Sequence, residues 1–402
     1  MTASEAPRRI LLVDCDQFFV QVARLEDPEG AGKEELLLVG GSPSGRGVVT
    51  SASYEARKCG ARSAMPTARA LELCPDAMVV PVPRKACGRK SREVRAALSE
   101  LAPVVQAASV DEFYLDLGGT ERLFEGERLA ETAERIRREV YDRTDISVSI
   151  GGGTARMIAK LASGLAKPAG VHVVPAGEEQ RFMSRFELRE IPGVGPALLE
   201  KLNERGLRTV EELLPVEERW LVKWFGESRG RWLYRRARGI DDSPVSSSDP
   251  RKSVSSERTF PRDLHDDPRL ETELLRQVMS AAGNLRNHEL RARTITVKVR
   301  DADFTTRQAS HTLPESVESD TAVFAVARNL LAELRRRRRR GVRLLGVGLT
   351  NLEDRDAASQ LGLFDGEVRA ESDRDRTLTR VLDGLRDRFG EDAVVPGRVV
   401  EG

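Results

Sequence analysis

The 402-residue sequence has few cysteines, few aromatic residues and no long apolar run, and these shortages exclude several classes of protein. The four cysteines show no CxxC spacing and no histidine at zinc-finger distance. They therefore predict reduced, mostly buried thiols in a cytosolic protein, not a zinc site. No run of about 18 apolar residues occurs, and the N-terminus has no apolar signal core, so no membrane span is predicted.

An overall excess of one charge is also missing, since the formal net charge is only +1. This argues against a uniformly basic surface for nucleic acid, but it allows a local excess of positive charge in one part of the chain. Residues 251–350 contain 20 Lys or Arg against 13 Asp or Glu. Six consecutive arginines, Arg335 to Arg340, close an apolar helical pattern in this span. They predict an ordered helix end that contacts phosphate rather than a disordered tail.

The chain is too long for one ordinary domain, and its predicted secondary structure and composition change along its length. Up to about residue 180, strands alternate with helices around an acidic hairpin, which predicts a ferredoxin-like split βαβ sheet. Helical patterns then flank a Pro-Gly-Val-Gly turn within residues 188–213. Residues 240–253 are rich in Ser, Asp and Pro, so they predict a tether with little to bury. A second α/β unit follows over residues 254–352.

Two acidic pairs carry the chemical interpretation. Asp14 and Asp16 end one strongly apolar predicted strand, and Asp111 and Glu112 lie in the hairpin before another. Each pair alone is unremarkable, but both strands should be central in one sheet. Carboxylates that converge repel each other unless a cation lies between them, and Mg²⁺ prefers such oxygen ligands. Two such ions would support attack of a primer 3′-hydroxyl on a nucleotide α-phosphate.

Cationic side chains suited to phosphate occur at helical spacing. Tyr54 and Arg57 are three residues apart and so share a helix face. Lys160 and Lys167 lie about two turns apart on a second predicted helix. Any one of these side chains alone is typical of a solvated helix face. Together with the carboxylates, they predict a grip on a triphosphate.

Four motifs in this order resemble the Y family of translesion DNA polymerases, closest to the bacterial DNA polymerase IV branch. They are ILLVDCDQFF (10–19), ASYEARK (52–58), SVDEFY (109–114) and AKLASGLAKP (159–168). The shorter segments RTF (258–260) and QLGLF (360–364) match further on. The resemblance covers about residues 8 to 365.

The resemblance implies a multidomain α/β (α+β) fold. It places a ferredoxin-like palm at 1–180, with fingers inserted at roughly 25–85, and a helix-hairpin-helix thumb at 181–240. A linker at 241–253 would precede a separate α/β little-finger DNA-binding domain at 254–352. A C-terminal tail at 353–402 would carry a motif that docks on the replicative sliding clamp.

The resemblance also implies roles for individual residues. Asp14, Asp111 and Glu112 would be catalytic and hold two Mg²⁺ ions, with help from the backbone carbonyl of Cys15, and Mn²⁺ would also be accepted. Asp16 would support this site without ligating metal. Phe19 would be a steric gate against the ribose 2′-hydroxyl. The triphosphate would be held by Ser51, Tyr54, Arg57 and Lys167. DNA would be contacted by Gly193, Gly195 and Arg258, and the clamp by Gln360, Leu361, Leu363 and Phe364.

The function implied is low-fidelity, template-directed DNA synthesis past lesions, by a cytoplasmic, nucleoid-associated monomer that binds primer-template DNA, dNTP and the clamp. One alternative is a polymerase-like accessory protein that binds DNA and clamp without chemistry. Another is a two-metal nuclease. The sequence departs from its relatives at Ala64, where Gly is common, and at Ala155 and Arg156, where Asn-Lys is usual. The first change is expected to tighten the templating pocket, and the second to alter a local cap or DNA contact.

Overall fold

The computed structural model describes residues 7–120, 126–247, 250–355, 371–390 and 393–397. The chain divides into two compact units, Met1–Asp249 and Pro250–Gly402. Within the described ranges, no helix is both long and apolar enough to cross a membrane. All four cysteines are free thiols and only Cys59 is exposed, as the sequence predicts.

The first unit begins with a large sheet and the helices that cover it. Its elements up to residue 173 are β1 (Ile10–Cys15), α1 (Phe18–Glu26), β2 (Leu37–Gly40), β3 (Val49–Ala52), α2 (Tyr54–Lys58), α3 (Thr67–Leu73), β4 (Met78–Val80), α4 (Arg84–Leu101), β5 (Val104–Ala107), β6 (Glu112–Asp116), α5 (Leu129–Thr144), β7 (Val148–Gly153), α6 (Arg156–Ala166) and β8 (Val171–Val173). The palm sheet has the strand order β5-β6-β1-β7-β8, and the fingers form a smaller sheet, β3-β2-β4.

β1 is the central strand of the palm and is antiparallel to both β6 and β7. All six of its residues are buried, and its side chains alternate between the two faces of the sheet. Leu11 and Val13 pack with α1, α4 and α5, whereas Ile10 and Leu12 pack with Ala159 of α6. Asp14 continues the second series. The alternation therefore directs a carboxylate toward the α6 side of the sheet.

The remaining helices of the first unit form the thumb. They are α7 (Glu179–Met183), α8 (Pro196–Asn203), α9 (Val210–Leu213), α10 (Glu218–Phe225) and α11 (Glu227–Ala237). Their apolar side chains share one core with Met157, Ile158 and Leu161 of α6. This helix thus packs on the palm sheet and on the thumb core at once.

The expectation of an unpacked tether over residues 240–253 is wrong for residues 241–246. Val245 is buried in the apolar cluster on the α6 side of the palm sheet. Asp241 is also buried, and its Oδ2 accepts a hydrogen bond from the backbone N–H of Met157 at 3.2 Å. A single valine in a polar segment gives no periodicity, so the sequence pattern does not reveal this contact.

The second unit is a four-stranded antiparallel sheet with helices on one face. Its elements are β9 (Ser253–Leu264), α12 (Asp267–Asn287), β10 (Leu290–Asp301), β11 (Thr306–Val317), α13 (Asp320–Arg337), β12 (Val342–Asp354) and α14 (Asp373–Phe389). The strand order is β11-β10-β12-β9. The apolar residues of the strands and of α12 and α13 form one core. α14 contacts α13, and its Asp383 pairs with the buried Arg286 of α12 at 2.6 Å.

The other face of this sheet, which we call the open face, carries no helix among the described residues of the unit. The strand register places on it Ser253, Ser255, Glu257 and Thr259 of β9, Thr294, Thr296, Lys298 and Arg300 of β10, Thr306, Gln308, Ser310 and Thr312 of β11, and Leu344, Gly346, Gly348 and Thr350 of β12. Lys298 reaches across Gly346 to Glu257, and the Nζ–Oε2 distance is 2.8 Å. A Cβ atom at Gly346 would lie 2.6 Å from that of Glu257, so only glycine fits between them.

The arginine run ends a helix, as predicted, because α13 stops at Arg337. Two of the six arginines have structural roles. Arg338 pairs with the fully buried Asp301 at 3.1 Å and with Asp303 at 2.6 Å. Arg335 is buried, and its Nε lies 2.7 Å from Oδ1 of Asp267. The exposed Arg336, Arg339 and Arg340 stay available for the predicted contact.

Candidate active site

The catalytic carboxylates predicted from the sequence lie at adjacent strand ends in the palm. Asp14 of β1 is directly opposite Glu112 of β6 in the antiparallel register. The backbone N–H of Cys15 donates to the carbonyl of Asp111 at 2.9 Å. Residues separated by about a hundred positions in the chain are thereby brought together at one end of two neighbouring strands. The structure thus brings these three acidic residues together at the level of the backbone.

Two lysines of the α6 region contact these carboxylates. Lys160 Nζ lies 2.5 Å from Glu112 Oε1 and 3.5 Å from Asp14 Oδ2. Lys167 Nζ lies 2.6 Å from Asp14 Oδ1. Burial raises the pKa of the Asp14 carboxyl above its ordinary value, although both lysines oppose this shift. Burial alone would lower the pKa of Lys160, but its hydrogen bond with Glu112 and the charges around it hold that pKa above its usual range.

The side chains do not yet form the converged cluster that the sequence predicts. Among the described residues, no three Asp, Glu, His or Cys side chains make a group that could hold a metal ion. The reason is visible in their partners. Lys160 and Lys167 neutralise Asp14 and Glu112, and the Ser109 hydroxyl donates to Asp111 Oδ1 at 2.5 Å. To hold a metal ion, these side chains would have to exchange these partners.

Three consecutive glycines, which the sequence analysis missed, allow α6 to lie this close to the sheet. They are the last three residues of β7, and α6 begins three residues later at Arg156. A Cβ at Gly151 would lie 2.1 Å from the backbone of Ala159 and of Ser163. Three glycines in a row are a readable signal of such an approach of backbone to backbone.

The nucleotide-binding residues predicted in the fingers lie around the start of α2. Ser51 is buried in β3, which leads into this helix. The guanidinium of Arg57 lies over the Tyr54 ring, 5.1 Å from its centroid, as their helical spacing predicts. The Tyr54 hydroxyl donates to Asp16 Oδ1 at 2.9 Å. A phenol has one proton, so in this arrangement Tyr54 presents its ring and not a hydrogen-bond donor to a ligand.

The predicted steric gate, Phe19, is in the first turn of α1 and is partly buried. It packs between the palm core and the cluster of α1 with β2, and its ring meets that of Phe18 edge-on at 5.6 Å. Phe18 itself is almost fully buried. The partly exposed position of Phe19 leaves part of the ring available to a bound sugar.

The residues predicted to contact DNA belong to both units, Gly193 and Gly195 to the first and Arg258 to the second. Gly193 precedes α8 with φ of +99°, and a Cβ there would lie 2.7 Å from the Trp232 ring. Gly195 is the N-cap of α8. Arg258 is opposite Leu345 on the helix-bearing face of the second-unit sheet, and it pairs with Glu273 at 3.1 Å. The open face does not include Arg258. The clamp residues Gln360, Leu361, Leu363 and Phe364 lie outside the described residues.

The two departures from the family pattern have local structural effects. Ala64 is exposed and adopts φ of +66°, a conformation in which a relative's glycine would be unstrained. Ala155 is the N-cap of α6 and has no side chain with which to cap it. The carboxylate of Asp241 supplies that cap from the segment beyond the thumb. Arg156 packs on the Tyr114 ring at 4.3 Å.

Comparison with known families and proteins agrees over most of the chain. The sequence matches the impB/mucB/samB family over residues 13–164, the DNA polymerase-iota thumb domain over 189–241, and the impB/mucB/samB family C-terminal domain over 251–363. DNA polymerase IV of Caulobacter vibrioides is 37% identical over 390 residues, which cover 97% of this chain and 94% of that protein.

Solved structures agree with the sequence matches. A chimera of the Y-family DNA polymerases Dbh and Dpo4 superposes with a TM-score of 0.77 and 28% identity, covering 86% of this chain and 99% of that chain. An insertion ternary complex of Dbh DNA polymerase has a TM-score of 0.59 at 28% identity, with the same coverage.

The palm, fingers, thumb and separate second unit, with acidic strand ends beside lysines, define the protein class as a DNA polymerase that uses divalent metal. The chain belongs to the Y family of translesion DNA polymerases, in its DNA polymerase IV branch. It is therefore a DNA-directed DNA polymerase that acts on primer-template DNA and dNTP.

Proposed function

We propose that Asp14, Asp111 and Glu112, with the backbone carbonyl of Cys15, hold two Mg²⁺ ions and are the catalytic residues of this polymerase. The observation that carries the proposal is Lys160, whose ammonium group lies between the Asp14 and Glu112 carboxylates where a cation is needed. Carboxylate and carbonyl oxygens are ligands for Mg²⁺ and also for Mn²⁺. When bound, the ions supply charge neutralisation at the reacting phosphate. Primer extension by the Asp111→Ala, Glu112→Ala double variant tests the assignment.

The protein's own cations would orient the triphosphate. Arg57 is held over the Tyr54 ring in the fingers, and Lys167, the C-cap of α6, lies 2.6 Å from Asp14 Oδ1. Ser51 is buried in β3, the strand that leads into α2. Arginine suits bidentate phosphate contact, and lysine supplies a point charge. With Asp14 engaged in holding a metal ion, Lys167 would be free to bind phosphate instead. Phe19 would exclude the ribose 2′-hydroxyl by occupying its space.

We assign the main DNA grip to the open face of the second unit. Hydroxyl side chains, two glycines and Arg300 lie on this face together with Lys298, which would exchange its ion pair with Glu257 for a phosphate. Such a polar surface can bind a phosphate backbone without base-specific readout. The thumb turn at Gly193 and Gly195 would add backbone N–H groups. Arg258 lies on the opposite, helix-bearing face of the sheet, so it is left out of this grip.

Neutralising Lys298 and Arg300 by alanine should weaken binding to primer-template DNA and make it less dependent on salt. Each lost phosphate contact is expected to reduce the slope of log affinity against log salt by about 1, so the double variant should lose about 2. Fluorescence anisotropy with labelled primer-template, over a range of NaCl concentrations, measures this slope.

Arg258→Ala is the matched control for the grip, because it removes one positive charge from the helix-bearing face of the same sheet. Its slope should equal that of the wild type. A reduced slope for Arg258→Ala with an unchanged slope for the Lys298, Arg300 variant would contradict the open-face assignment. It would support instead the DNA contact at Arg258 that the resemblance implies.

We also propose that residues 360–364 dock on a replicative sliding clamp, as in the family that the chain belongs to, and that the enzyme acts as a cytoplasmic, nucleoid-associated monomer. Replacing Gln360, Leu363 and Phe364 by alanine should abolish stimulation by the clamp while basal synthesis stays unchanged. Primer extension with and without clamp, on the same template, measures both. Stimulation that survives the triple replacement would mean that the clamp is bound elsewhere.

A further inference from the structure

Asp16 is a buried carboxylate next to the catalytic site and is fully engaged in hydrogen bonds. The residue as a whole is only 2% exposed. Oδ1 accepts from the Tyr54 hydroxyl at 2.9 Å and from Ser149 Oγ at 2.8 Å. Oδ2 accepts from Ser147 Oγ at 3.1 Å and from the backbone N–H of Ala169 at 2.9 Å. A carboxylate has about four acceptor sites, so none is left for a metal ion.

The four donors come from three parts of the first unit. Tyr54 is the first residue of α2 in the fingers. Ser149 is in β7 and Ser147 directly precedes that strand, and Ala169 is in the turn that follows α6. Burying a charge is costly unless it is hydrogen-bonded, so this carboxylate holds the three parts in one arrangement.

We propose that Asp16 is a positioning residue for the triphosphate of the incoming nucleotide, acting through Tyr54 on Arg57 and through the Ala169 turn on Lys167. The inference rests on the proposed function, because Arg57 and Lys167 are the cations assigned there to the triphosphate. Asp16 itself would not touch the nucleotide.

The first connection runs through the fingers. The Tyr54 ring is fixed at one end by its hydroxyl on Asp16 and at the other by its backbone N–H, which donates to Gln17 Oε1 at 2.9 Å. Burial first, and then the Asp16 charge, raise the pKa of Tyr54 above its ordinary value, so the phenol stays a donor. Arg57 lies over this fixed ring, and its Nε donates to the Ala52 carbonyl at 2.9 Å. The guanidinium is thus held both by the Ala52 carbonyl and by the ring that Asp16 fixes.

The second connection runs through the end of α6. Lys167 is the C-cap of this helix, and two residues later Ala169 adopts φ of +53°. This left-handed conformation is unfavourable for alanine, and the hydrogen bond of its N–H to Asp16 helps to hold it. Loss of that bond would free the turn and with it the backbone from which Lys167 extends.

Steady-state primer extension by Asp16→Asn tests the proposal, with dNTP as the varied substrate. The amide keeps the shape of the carboxylate but loses its charge and one acceptor. We expect the KM for dNTP to rise roughly tenfold while kcat stays within about threefold, because hydrogen bonds to a charged group are lost and the metal ligands are untouched. Ser147→Ala removes one of the four bonds without changing Asp16, and it should raise the KM in the same direction by roughly twofold.

Asp241→Asn is the matched control. Asp241 is also a buried, hydrogen-bonded aspartate of the first unit, but it caps the opposite end of α6. Thermal melting should show a loss of stability for this variant, whereas its KM for dNTP should equal that of the wild type. An equal rise in KM for Asp241→Asn and Asp16→Asn would reduce Asp16 to a general structural role and overturn the proposal.

A double variant tests the route through Tyr54. If the hydroxyl acts only through Asp16, Tyr54→Phe added to Asp16→Asn should leave the KM of Asp16→Asn unchanged. Multiplying effects would overturn this route, and so would an unchanged KM in Asp16→Asn or Ser147→Ala. A wild-type protein that binds DNA but extends no primer would instead overturn the proposed roles of the carboxylates. The two failures are therefore distinguishable.

Discussion

Replacing Asp111 and Glu112 together by alanine should lower the rate of primer extension by roughly a thousandfold or more, because the charge stabilisation that bound metal gives a transferring phosphoryl group amounts to several kcal/mol. Both residues are at the hairpin that faces Asp14 across the sheet. Single-turnover extension of a labelled primer in Mg²⁺ measures the rate, and anisotropy measures DNA affinity separately. DNA affinity should change little, since the proposed grip lies in the second unit.

The control for this prediction removes two exposed acids elsewhere in the first unit, Asp142→Ala with Glu204→Ala. It makes the same change in net charge and should extend primers at the wild-type rate. Undiminished extension by the Asp111, Glu112 variant would remove the metal assignment. If neither the wild type nor any variant extended a primer while all bound DNA, the accessory-protein alternative would describe the chain better.

Phe19→Ala should admit ribonucleotides. A side chain that forces a clash costs typically about 1–3 kcal/mol, so removing the ring should lower the preference for dNTP over rNTP by roughly thirtyfold. The ratio of kcat/KM for one dNTP and its matching rNTP measures the preference. The ring is only partly buried, so the variant is expected to fold.

Phe304→Ala is the control for the gate, because Phe304 is an exposed phenylalanine of the second unit. Its sugar preference should equal that of the wild type. An unchanged preference in Phe19→Ala would remove the gate assignment. It would also reopen the nuclease alternative, because a nuclease does not need to distinguish the sugar of a free nucleotide.

The palm was predictable because its sequence signals are local and strong. Two short apolar runs with carboxylates at their ends indicated buried strands of one sheet, and the structure pairs these strands with Asp14 opposite Glu112. The pairing of Arg57 with the Tyr54 ring likewise follows from helical spacing. Family resemblance then supplied the order of the parts.

What the sequence left open depends on contacts between distant segments. Nothing in the composition of residues 241–246 indicates that Val245 is buried or that Asp241 caps α6. The face on which Arg258 lies depends on strand register, because a shift of one residue would turn it to the open face. The pairing of Lys160 with two carboxylates depends on how closely α6 approaches the sheet.

The three glycines of β7 set the distance between α6 and the sheet, and this distance decides whether the lysines can neutralise the carboxylates of the site. With no side chain at Gly151 there is no spacer between helix and sheet, and the ammonium groups of α6 stay within reach of the carboxylates. One added methyl group there would push the helix outward and pull the lysines off their partners. Efforts to alter fidelity by random mutagenesis should accordingly find position 151 intolerant, because it is buried between sheet and helix.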